Sequence, residues 1–537
     1  MKHRTIATAL ILFVLLFFMI WSFGSSAANP NESATRGNSQ SENEASEVSQ
    51  EREGEEGDAD ADLGKWGSRM NREEYLRERS EYIGLKRGFE AGLPFNPEVR
   101  RRAIDQMERQ ENGRKLESVV SGDLSPSAGG AWIPIGPTSI ANGQSLSAGN
   151  TAVSGRVTAV VVDPTNPNNV YLGTAQGGVW RSLNAGATWE TIFDNADSLA
   201  IGALALAPSD PTKLYVGTGE FNACADCFFG AGLYRIDTVN TTPSLVGPIN
   251  PIQTVGTQNY NIFNGRGITK IVVDPTNAAT IFVSTARGIG GSGANAKSTT
   301  PPVALRGFWR STNATNAVGS VTFQKFVLTA GATLDNENLD TTDIVMEPGT
   351  PNNLLVAMIG STTTNGGIYR TTNALAGTPT FTQVYTAASG VRLNLAITKV
   401  GGVVTAYAAT SETPTATTGC TTADSGAVRK QVDPFASTST WSTQLTGGGG
   451  YCSGQCFYDI AIAVNPANAD EVYLGGAAGT GACGNGMKKS TNGGTSFFRD
   501  QTGLHADSHA LFFDGAGNIY AGNDGGIWKK VANNTAE

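Results

Sequence analysis

An all-β fold, a β-propeller of seven blades, is predicted by three features of this sequence. The first is a unit that recurs within residues 130–537: an apolar strand, a turn at Asp-Pro or a near relative, and a second strand ending in Gly. The second is a third strand with Gly-Gly, an aromatic and a basic residue, as in Gly177–Arg181 (GGVWR). The third is the period, about 40 to 75 residues with about four strands per unit, which is typical of propellers.

The segments ahead of the repeats are predicted from their composition. Residues 1–28 combine a basic start, an apolar stretch over 6–21 and small residues at a cleavage site, as in a secretory signal peptide. Residues 29–65 are rich in Ser, Glu and Asp and predict a disordered acidic spacer. Residues 66–118 predict short helices, either a pro-segment or helices on the propeller rim. The signal predicts a secreted, periplasmic or cell-surface protein without a transmembrane segment in its mature chain; an uncleaved anchor is the alternative.

Closure of the ring is predicted from an unmatched strand at each end of the repeats. The last unit, His509–Val531, has three strands and no fourth. Ahead of the first unit, Ala131–Gly136 has the pattern of an outer strand without a blade of its own. Pairing the two completes blade seven and covers an exposed sheet edge. The alternative is that the sequence, which stops at Glu537, is a fragment of a longer protein.

Charge and cysteine content restrict the partners. The net charge is −9 and the repeats contain no basic run, which excludes nucleic acid as an expected partner.

Six cysteines, an even number, predict disulfides in an exported protein, and all six fall on loops at one face of the propeller. The expected pairs are Cys224–Cys227, Cys420–Cys452 and Cys456–Cys483. A zinc site is disfavoured by the irregular spacing. Long loops held on a rigid scaffold predict that this face is the recognition surface.

A possible metal site is suggested by the only histidines outside the signal peptide. They occur in His505-Ala506-Asp507-Ser508-His509, and alternate residues of a strand point to the same side. His505, Asp507 and His509 are therefore candidate ligands for a divalent metal at the mouth of the central channel. The alternative is a polar channel mouth in which these side chains are hydrogen-bonded structurally. No cofactor is required by the sequence.

Further polar residues directly precede the inner strand of a blade or follow its second strand, and these positions lie on the same face as the cysteines. Mixed charges with a nearby Tyr suit a sugar or a peptide terminus better than an apolar ligand, and the alternative is that they only solvate the rim. The predicted binding face consists of Arg156, Glu220, Arg266, Asp343, Arg392, Gln455, Tyr458, Asp459, His505, Asp507 and His509.

Two turns carry a resemblance to a known superfamily. Ser182–Trp189 (SLNAGATW) and Ser490–Phe497 (STNGGTSF) look like Asp-box turns with Asn in the place of Asp. The repeat region, 130–537, therefore resembles the Asp-box (BNR) repeat propellers, a superfamily that includes sialidases, sortilin-type receptors and xyloglucan-degrading endoglucanases. The resemblance implies a sortilin- or xyloglucanase-like seven-bladed fold, in which the Asp box is a folding turn away from the ligand.

The residues do not match the catalytic patterns that the resemblance would imply. In the xyloglucanases a catalytic Asp precedes a Gly-Gly-aromatic segment, and the corresponding position here is Ala175. In the last blade the same frame places Asn523 there, with Asp524 one residue later. Neither Ala nor Asn acts as the acid or base of glycoside hydrolysis. The Arg-Ile-Pro motif of the sialidases is absent from the sequence.

The sequence therefore predicts an exported, non-catalytic propeller that binds a glycan or an extracellular protein. One alternative is a glycoside hydrolase, similar to the xyloglucanases and endoglucanases, with a rearranged carboxylate pair; its weak candidates are Asp459, Asp507 and Asp524. A second alternative is a cell-envelope adhesin or assembly factor tethered by the acidic spacer. The sequence does not predict an oligomeric state.

Overall fold

The described strands form seven antiparallel blades in this computed structural model, apart from two separate hairpins. An all-β, seven-bladed propeller is thus confirmed. The structure describes residues 100–110, 140–143, 151–222, 227–287, 304–329, 331–334, 338–415, 425–477 and 486–532. Within these ranges no helix has the length and apolar character needed to cross a membrane. The signal peptide, the acidic spacer and the closing strand Ala131–Gly136 lie outside the described residues and stay predictions.

The strands follow one another in short antiparallel turns. Ahead of and within the first three blades they are β1 (Ile140–Gly143), β2 (Thr151–Val153), β3 (Val157–Val162), β4 (Val170–Thr174), β5 (Val179–Ser182), β6 (Glu190–Thr191), β7 (Ile201–Ala207), β8 (Asp210–Thr218), β9 (Leu233–Asp237), β10 (Ser244–Ile249), β11 (Ile252–Val255), β12 (Gln258–Asn261), β13 (Gly267–Asp274), β14 (Asn277–Ala286), β15 (Gly307–Ser311) and β16 (Gln324–Phe326). The later strands are β17 (Thr341–Glu347), β18 (Thr350–Met358), β19 (Gly366–Thr371), β20 (Thr382–Ala387), β21 (Leu393–Val400), β22 (Val403–Thr410), β23 (Ala427–Val432), β24 (Ala461–Asn465), β25 (Asn468–Gly475), β26 (Met487–Ser490), β27 (Phe498–Arg499), β28 (Ser508–Phe513), β29 (Ile519–Asn523) and β30 (Gly526–Lys530).

Each blade is one sheet in sequence order. The blades are β3–β6, β7–β10, β13–β16, β17–β20, β21–β23, β24–β27 and β28–β30, and β1–β2 and β11–β12 are separate hairpins. Short 3₁₀ turns occur at Val318–Ser320 and Thr446–Gly448. Residues 100–110 form a helix whose Arg100 donates to the carbonyls of Ala196 (3.0 Å) and Asp194 (3.2 Å), so the helix lies against blade one.

The first strand of every blade lines a central channel with a volume of about 370 Å³. Because the strands of a blade are antiparallel, the start of the first strand, the end of the second and the start of the third meet at the same end of this channel. We call this end the upper face. It is the face on which the sequence predicts the binding residues.

The Gly that ends the second strand is required by contact between blades. A Cβ on Gly173 would lie 2.4 Å from Ile201 Cγ2 of the next blade, which is far inside van der Waals contact. In blade seven, a Cβ on Gly522 would lie 2.8 Å from Val157 Cγ1 of blade one. Val157 also shares a buried cluster with Tyr520. Blade seven therefore packs on blade one as the other blades pack on their neighbours, and the ring is closed.

In blades one to four, the Arg of the third strand connects the blade to the next one. Arg181 of blade one donates from Nη1 to the carbonyl of Val239 in blade two at 2.5 Å. Arg310 of blade three reaches Ala374 of blade four in the same way, also at 2.5 Å. Both guanidiniums are buried, and a charge-assisted bond to a carbonyl satisfies them. The aromatic-basic pattern in the sequence is therefore a structural device.

The Asp-box-like turns are held by the side chains that define them. Asn184 Oδ1 accepts a hydrogen bond from Thr188 N (2.9 Å), and its Nδ2 donates to Thr188 Oγ1 (2.8 Å). Ser182 Oγ accepts from Gly186 N (2.9 Å). The turn in blade six, Ser490–Phe497, has the equivalent bonds. Asn thus replaces Asp because its amide oxygen accepts the same backbone bond, while its NH2 group gains a hydroxyl partner.

Candidate functional site

Five polar side chains from four blades converge over the upper end of the channel. They come from the predicted positions, just before first strands or just after second strands, except that His509 lies within β28. This group, called the central cluster below, consists of Arg156, Glu220, Tyr458, His509 and Asp524.

The central cluster is one continuous chain of hydrogen bonds. Arg156 Nη2 donates to Glu220 Oε2 at 3.0 Å, and its Nη1 donates to Tyr458 Oη at 2.9 Å. Tyr458 Oη donates in turn to Asp524 Oδ2 at 2.7 Å. His509 Nε2 lies 2.6 Å from the other oxygen of Asp524. Each carboxylate therefore has a partner within the protein.

A loop of blade two reaches across the channel and closes this end. Asn222 Nδ2 donates to Glu220 Oε1 (3.0 Å), and Arg392 Nη2 of blade five donates to Asn222 Oδ1 (3.1 Å). The Arg392 guanidinium also lies 5.3 Å from the ring centre of Phe221 and donates to the carbonyl of Phe457 (2.8 Å). Burial lowers the pKa of Arg392 to about 10, a value at which the side chain stays charged at neutral pH. Contacts between blades two, five and six thus fix the loop in place.

Beside the central cluster lies a buried pair of carboxyl groups, Asp459 and Asp507. Their exposed fractions are 0% and 2%. No N–H group in the described part of the chain donates to either carboxyl oxygen of Asp459. Burial raises the pKa of Asp459 well above its usual value, and the charge and hydrogen bond of Asp507 raise it further. The surroundings of Asp459 therefore favour the neutral form of its carboxyl group.

Asp524 has the opposite character. Burial would raise its pKa, but the hydrogen bond and charge of His509, together with Arg156, outweigh burial and hold the pKa below its usual value. Burial, and then the charge of Asp524, raise the pKa of Tyr458 well above its usual value, so the phenol remains a donor. The surroundings thus shift the pKa values of two neighbouring carboxyls, Asp459 and Asp524, in opposite directions.

Backbone strain occurs at the same place. Asp507 has a φ of 61°, in the left-handed region that non-Gly residues rarely adopt. Such a conformation costs on the order of 1–3 kcal/mol and persists only where the surroundings impose it. The segment before β28 is therefore fixed by its contacts, among them the bond from Asn523 Nδ2 to the carbonyl of His505 (3.1 Å).

Other predicted face residues lie outside the central cluster. Asp343 accepts from the backbone N–H of Leu395 (2.7 Å) and lines the channel below the loop. The carbonyl of Gln455 accepts from the N–H of Tyr458 (2.7 Å), so Gln455 shapes the turn that positions that ring. Arg266 lies in a separate cluster at blade three.

The three predicted metal ligands are not assembled as a metal site. Among the residues that the structure describes, no group of three His, Cys, Asp or Glu side chains has a metal-binding arrangement. His509 Nε2 is directed at Asp524, and His505 Nδ1 lies 3.1 Å from the carbonyl of Ala506. Asp507 lies against Asp459. The protein's own groups therefore engage each candidate ligand.

The predicted pairing of two disulfides is wrong. Cys452 is bonded to Cys456, with a Cα–Cα distance of 5.1 Å, so neither Cys420–Cys452 nor Cys456–Cys483 forms. The reason is a tight turn, in which Gln455 N donates to the carbonyl of Cys452 and brings the two cysteines together. Cys227 is also in the disulfide form. Its predicted partner Cys224 lies outside the described residues, as do Cys420 and Cys483.

Two important residues were missed from the sequence. Asn222 links Glu220 to Arg392, and Phe221 stacks below the same guanidinium. Both directly follow the predicted Glu220, so the position of that residue in a long loop was the available signal. Nothing in the sequence indicates that this loop crosses the channel.

Comparison with known proteins relates the chain to other propellers. No protein-family model and no curated protein matches the sequence. Similar solved structures include a GH74 enzyme from Niastella koreensis (18% identity, TM-score 0.45, 70% of this chain and 52% of that one) and the GH74 xyloglucanase from Xanthomonas campestris (18%, 0.45, 73% and 53%). YCF48 from Cyanidioschyzon merolae is another (12%, 0.42, 71% and 97%). The chain spans about half the length of the two GH74 enzymes. These similarities concern the fold alone.

Proposed function

We propose that this chain is an exported, non-catalytic β-propeller that binds a glycan or an extracellular protein at its upper face. One observation carries the proposal: the carboxyl groups at the channel mouth are bonded to the protein's own side chains. Glu220 is paired with Arg156, and Asp524 with Tyr458 and His509. A scaffold that uses its carboxyls in this way holds loops in position and leaves no acid and base facing a substrate.

The glycoside hydrolase alternative has less support. A hydrolase of this kind needs two carboxyls roughly 5 to 9.5 Å apart with the sugar between them. Asp459 and Asp507 are in contact and buried, which leaves no space for a sugar ring. Asn523, at the position expected for an acid, is fully buried and donates to a backbone carbonyl.

The upper face favours binding because described residues at its loop ends contact side chains of other blades. Four connections between second and third strands are long, in blades two, three, five and six: 219–232, 287–306, 411–426 and 476–486. Cys227 of the blade-two loop packs with Tyr458 and Phe457 from the turn before blade six. Side chains that neighbouring blades already hold in place lose little conformational entropy on binding, so the described part of the upper face can bind at low entropic cost.

A combined activity and binding experiment tests the proposal. Purified protein is assayed for release of reducing sugar from xyloglucan and mixed-linkage β-glucan, and for binding to a glycan array and to cross-linkable cell-envelope proteins. We expect no turnover and saturable binding that Phe228→Ala and Phe457→Ala weaken. Both rings are half-buried on the upper face. Phe498→Ala is the matched control, since this ring is 51% exposed on the outer strand β27.

Two results would contradict the proposal. One is hydrolysis at an ordinary enzyme rate, on the order of 1 to 10³ s⁻¹. The other is binding that the two upper-face substitutions leave unchanged or that Phe498→Ala weakens equally.

A further inference from the structure

A second charged cluster lies on the upper face at blade three. Arg266 directly precedes β13, Arg287 directly follows β14 and Arg306 directly precedes β15. Asp340 directly precedes β17, the first strand of blade four. Topology therefore brings three guanidiniums and one carboxylate to the same end of adjoining blades. This group is called the arginine cluster below.

Asp340 is the centre of the arginine cluster and is 1% exposed. It accepts from Arg287 Nε (2.5 Å) and backbone N (2.7 Å), and from Arg306 Nη1 (2.8 Å). Burial would raise the pKa of Asp340, but Arg306 and Arg287 outweigh it and hold the pKa below its usual value. The carboxylate is therefore ionised and engaged with two of the three arginines.

Among the described residues, Arg266 makes no direct ion pair of this kind, although the negative charge of Asp340 acts on it. It is 4% exposed, and its Nε donates to the carbonyl of Ala304 at 2.6 Å. Within the described ranges, neither Nη of Arg266 makes a hydrogen bond. Burial lowers its pKa to about 9, and the positive charge of Arg306 contributes to the lowering. A buried guanidinium is thus left with four N–H groups unused by the described protein.

The described residues of the arginine cluster carry more positive than negative charge. Three guanidiniums surround one carboxylate, and the described residues place no second carboxylate in ion-pair contact with them. Burying a charge without a partner is strongly unfavourable. A guanidinium presents a planar fork of N–H donors that fits two oxygens of a carboxylate or sulfate, whereas a monatomic anion uses only part of it.

We propose that Arg266, Arg287 and Arg306 form a binding site for an oxyanion, the carboxylate of an acidic sugar or an inorganic sulfate. Arg287 is 32% exposed, so the site opens to solvent beside it. Arg266 and Arg306 provide the buried donors, and Asp340 orients Arg306 and Arg287. The inference does not depend on the proposed function, because a free anion would bind here whether or not the upper face binds a glycan.

Isothermal titration with small anions tests the proposal directly. Sodium sulfate and sodium glucuronate are titrated separately into the full-length protein, against sodium chloride at equal ionic strength. We expect saturable binding of one anion per chain. Arg287→Gln is expected to weaken it about tenfold or more, since it removes a charge-assisted partner. Arg499→Gln, at an exposed arginine of the outer strand β27, is expected to leave it unchanged.

Comparing the affinities for the two anions shows whether the site is built for an acidic sugar or for inorganic sulfate. Tighter binding of glucuronate assigns the site to an acidic sugar, and tighter binding of sulfate assigns it to the inorganic ion. Arg266→Gln is a second variant for the buried donor; if it does not fold, Arg287→Gln still decides. Absence of saturable binding of both anions, or equal affinity in wild type and Arg287→Gln, would overturn the proposal. A negative glycan array would leave this result unaffected.

Discussion

Asp459→Asn tests the most unusual feature of the upper face, a fully buried carboxyl whose pKa is raised. Asn has nearly the same shape and keeps an N–H donor for Asp507, but it cannot ionise. Asp459 is fully buried, and burial followed by the neighbouring Asp507 raises its pKa well above the usual value. The substitution therefore removes one titration and leaves the packing almost unchanged.

The expected magnitude follows from linkage between protonation and folding. An Asp in the unfolded chain has a pKa near 3.9, and each pH unit above that value, up to the native pKa, costs about 1.4 kcal/mol of stability. The folded state binds the proton more tightly, so the contribution of this group is complete below about pH 4 and is lost as the pH rises toward the native pKa of Asp459. Wild type and variant should therefore be similar at pH 4 and diverge above it, with the variant the more stable.

Urea unfolding followed by tryptophan fluorescence at pH 4, 5, 6 and 7 measures this difference. We expect the gap in free energy of unfolding to widen as the pH rises from 4 toward the native pKa of Asp459 and to level off above it. The other titrating groups are common to both proteins, and Asp507 is the group whose charge is coupled to Asp459. Asp470→Asn is the matched control, because this side chain is 59% exposed, and it should follow the wild type at every pH. Parallel curves for Asp459→Asn and wild type would refute the assignment of a neutral buried acid.

Three further substitutions test the fold and the central cluster by urea unfolding. Gly522→Ala should lower the free energy of unfolding by about 1–3 kcal/mol, because the added Cβ would lie 2.8 Å from Val157 Cγ1. Gly515→Ala is the control: its surroundings are open, so the free energy of unfolding should change by less than about 0.5 kcal/mol. Equal effects of the two substitutions would argue against the contact that closes the ring. Tyr458→Phe removes the hydroxyl that bonds to both Arg156 and Asp524, and it should lower the free energy of unfolding by about 1–3 kcal/mol. No change in the free energy of unfolding would show that these two hydrogen bonds contribute nothing to stability. Asn184→Ala should lower the free energy of unfolding by about 1 kcal/mol, because it removes the oxygen that accepts a hydrogen bond from Thr188 N. Asn184→Asp keeps this acceptor and should lower the free energy of unfolding by less. An equal loss in both variants would contradict this role of the oxygen.

The fold was predictable because its signals are local and repeated. A basic residue in the third strand recurs at each blade, and a Gly near the end of the second strand recurs in blades one, two, six and seven. At Gly173 and Arg181 the structure gives these residues a close contact with the next blade. The face that carries the candidate residues was predictable for the same reason, since strand direction alone determines which loops share an end.

The pairing of side chains across that face was not predictable. Cys452 bonds to Cys456, where the sequence suggested more distant partners, because a local turn brings their Cα atoms to 5.1 Å. His505, Asp507 and His509 are close in sequence, yet His509 turns to Asp524 and Asp507 lies against Asp459. Distances of this kind depend on loops from different blades, whose relative positions no local pattern encodes.

The sequence by itself determined the repeat, the number of blades and the end of the channel to which the polar residues belong, because these follow from periodicity and strand direction. Only the tertiary structure decided that the loop carrying Glu220 and Asn222 crosses the channel to Arg392. It also decided that the pKa of Asp459 is raised while that of Asp524 is lowered. The physical reason is that burial and the nearest charges set the state of a carboxyl, and both arise only when distant blades meet.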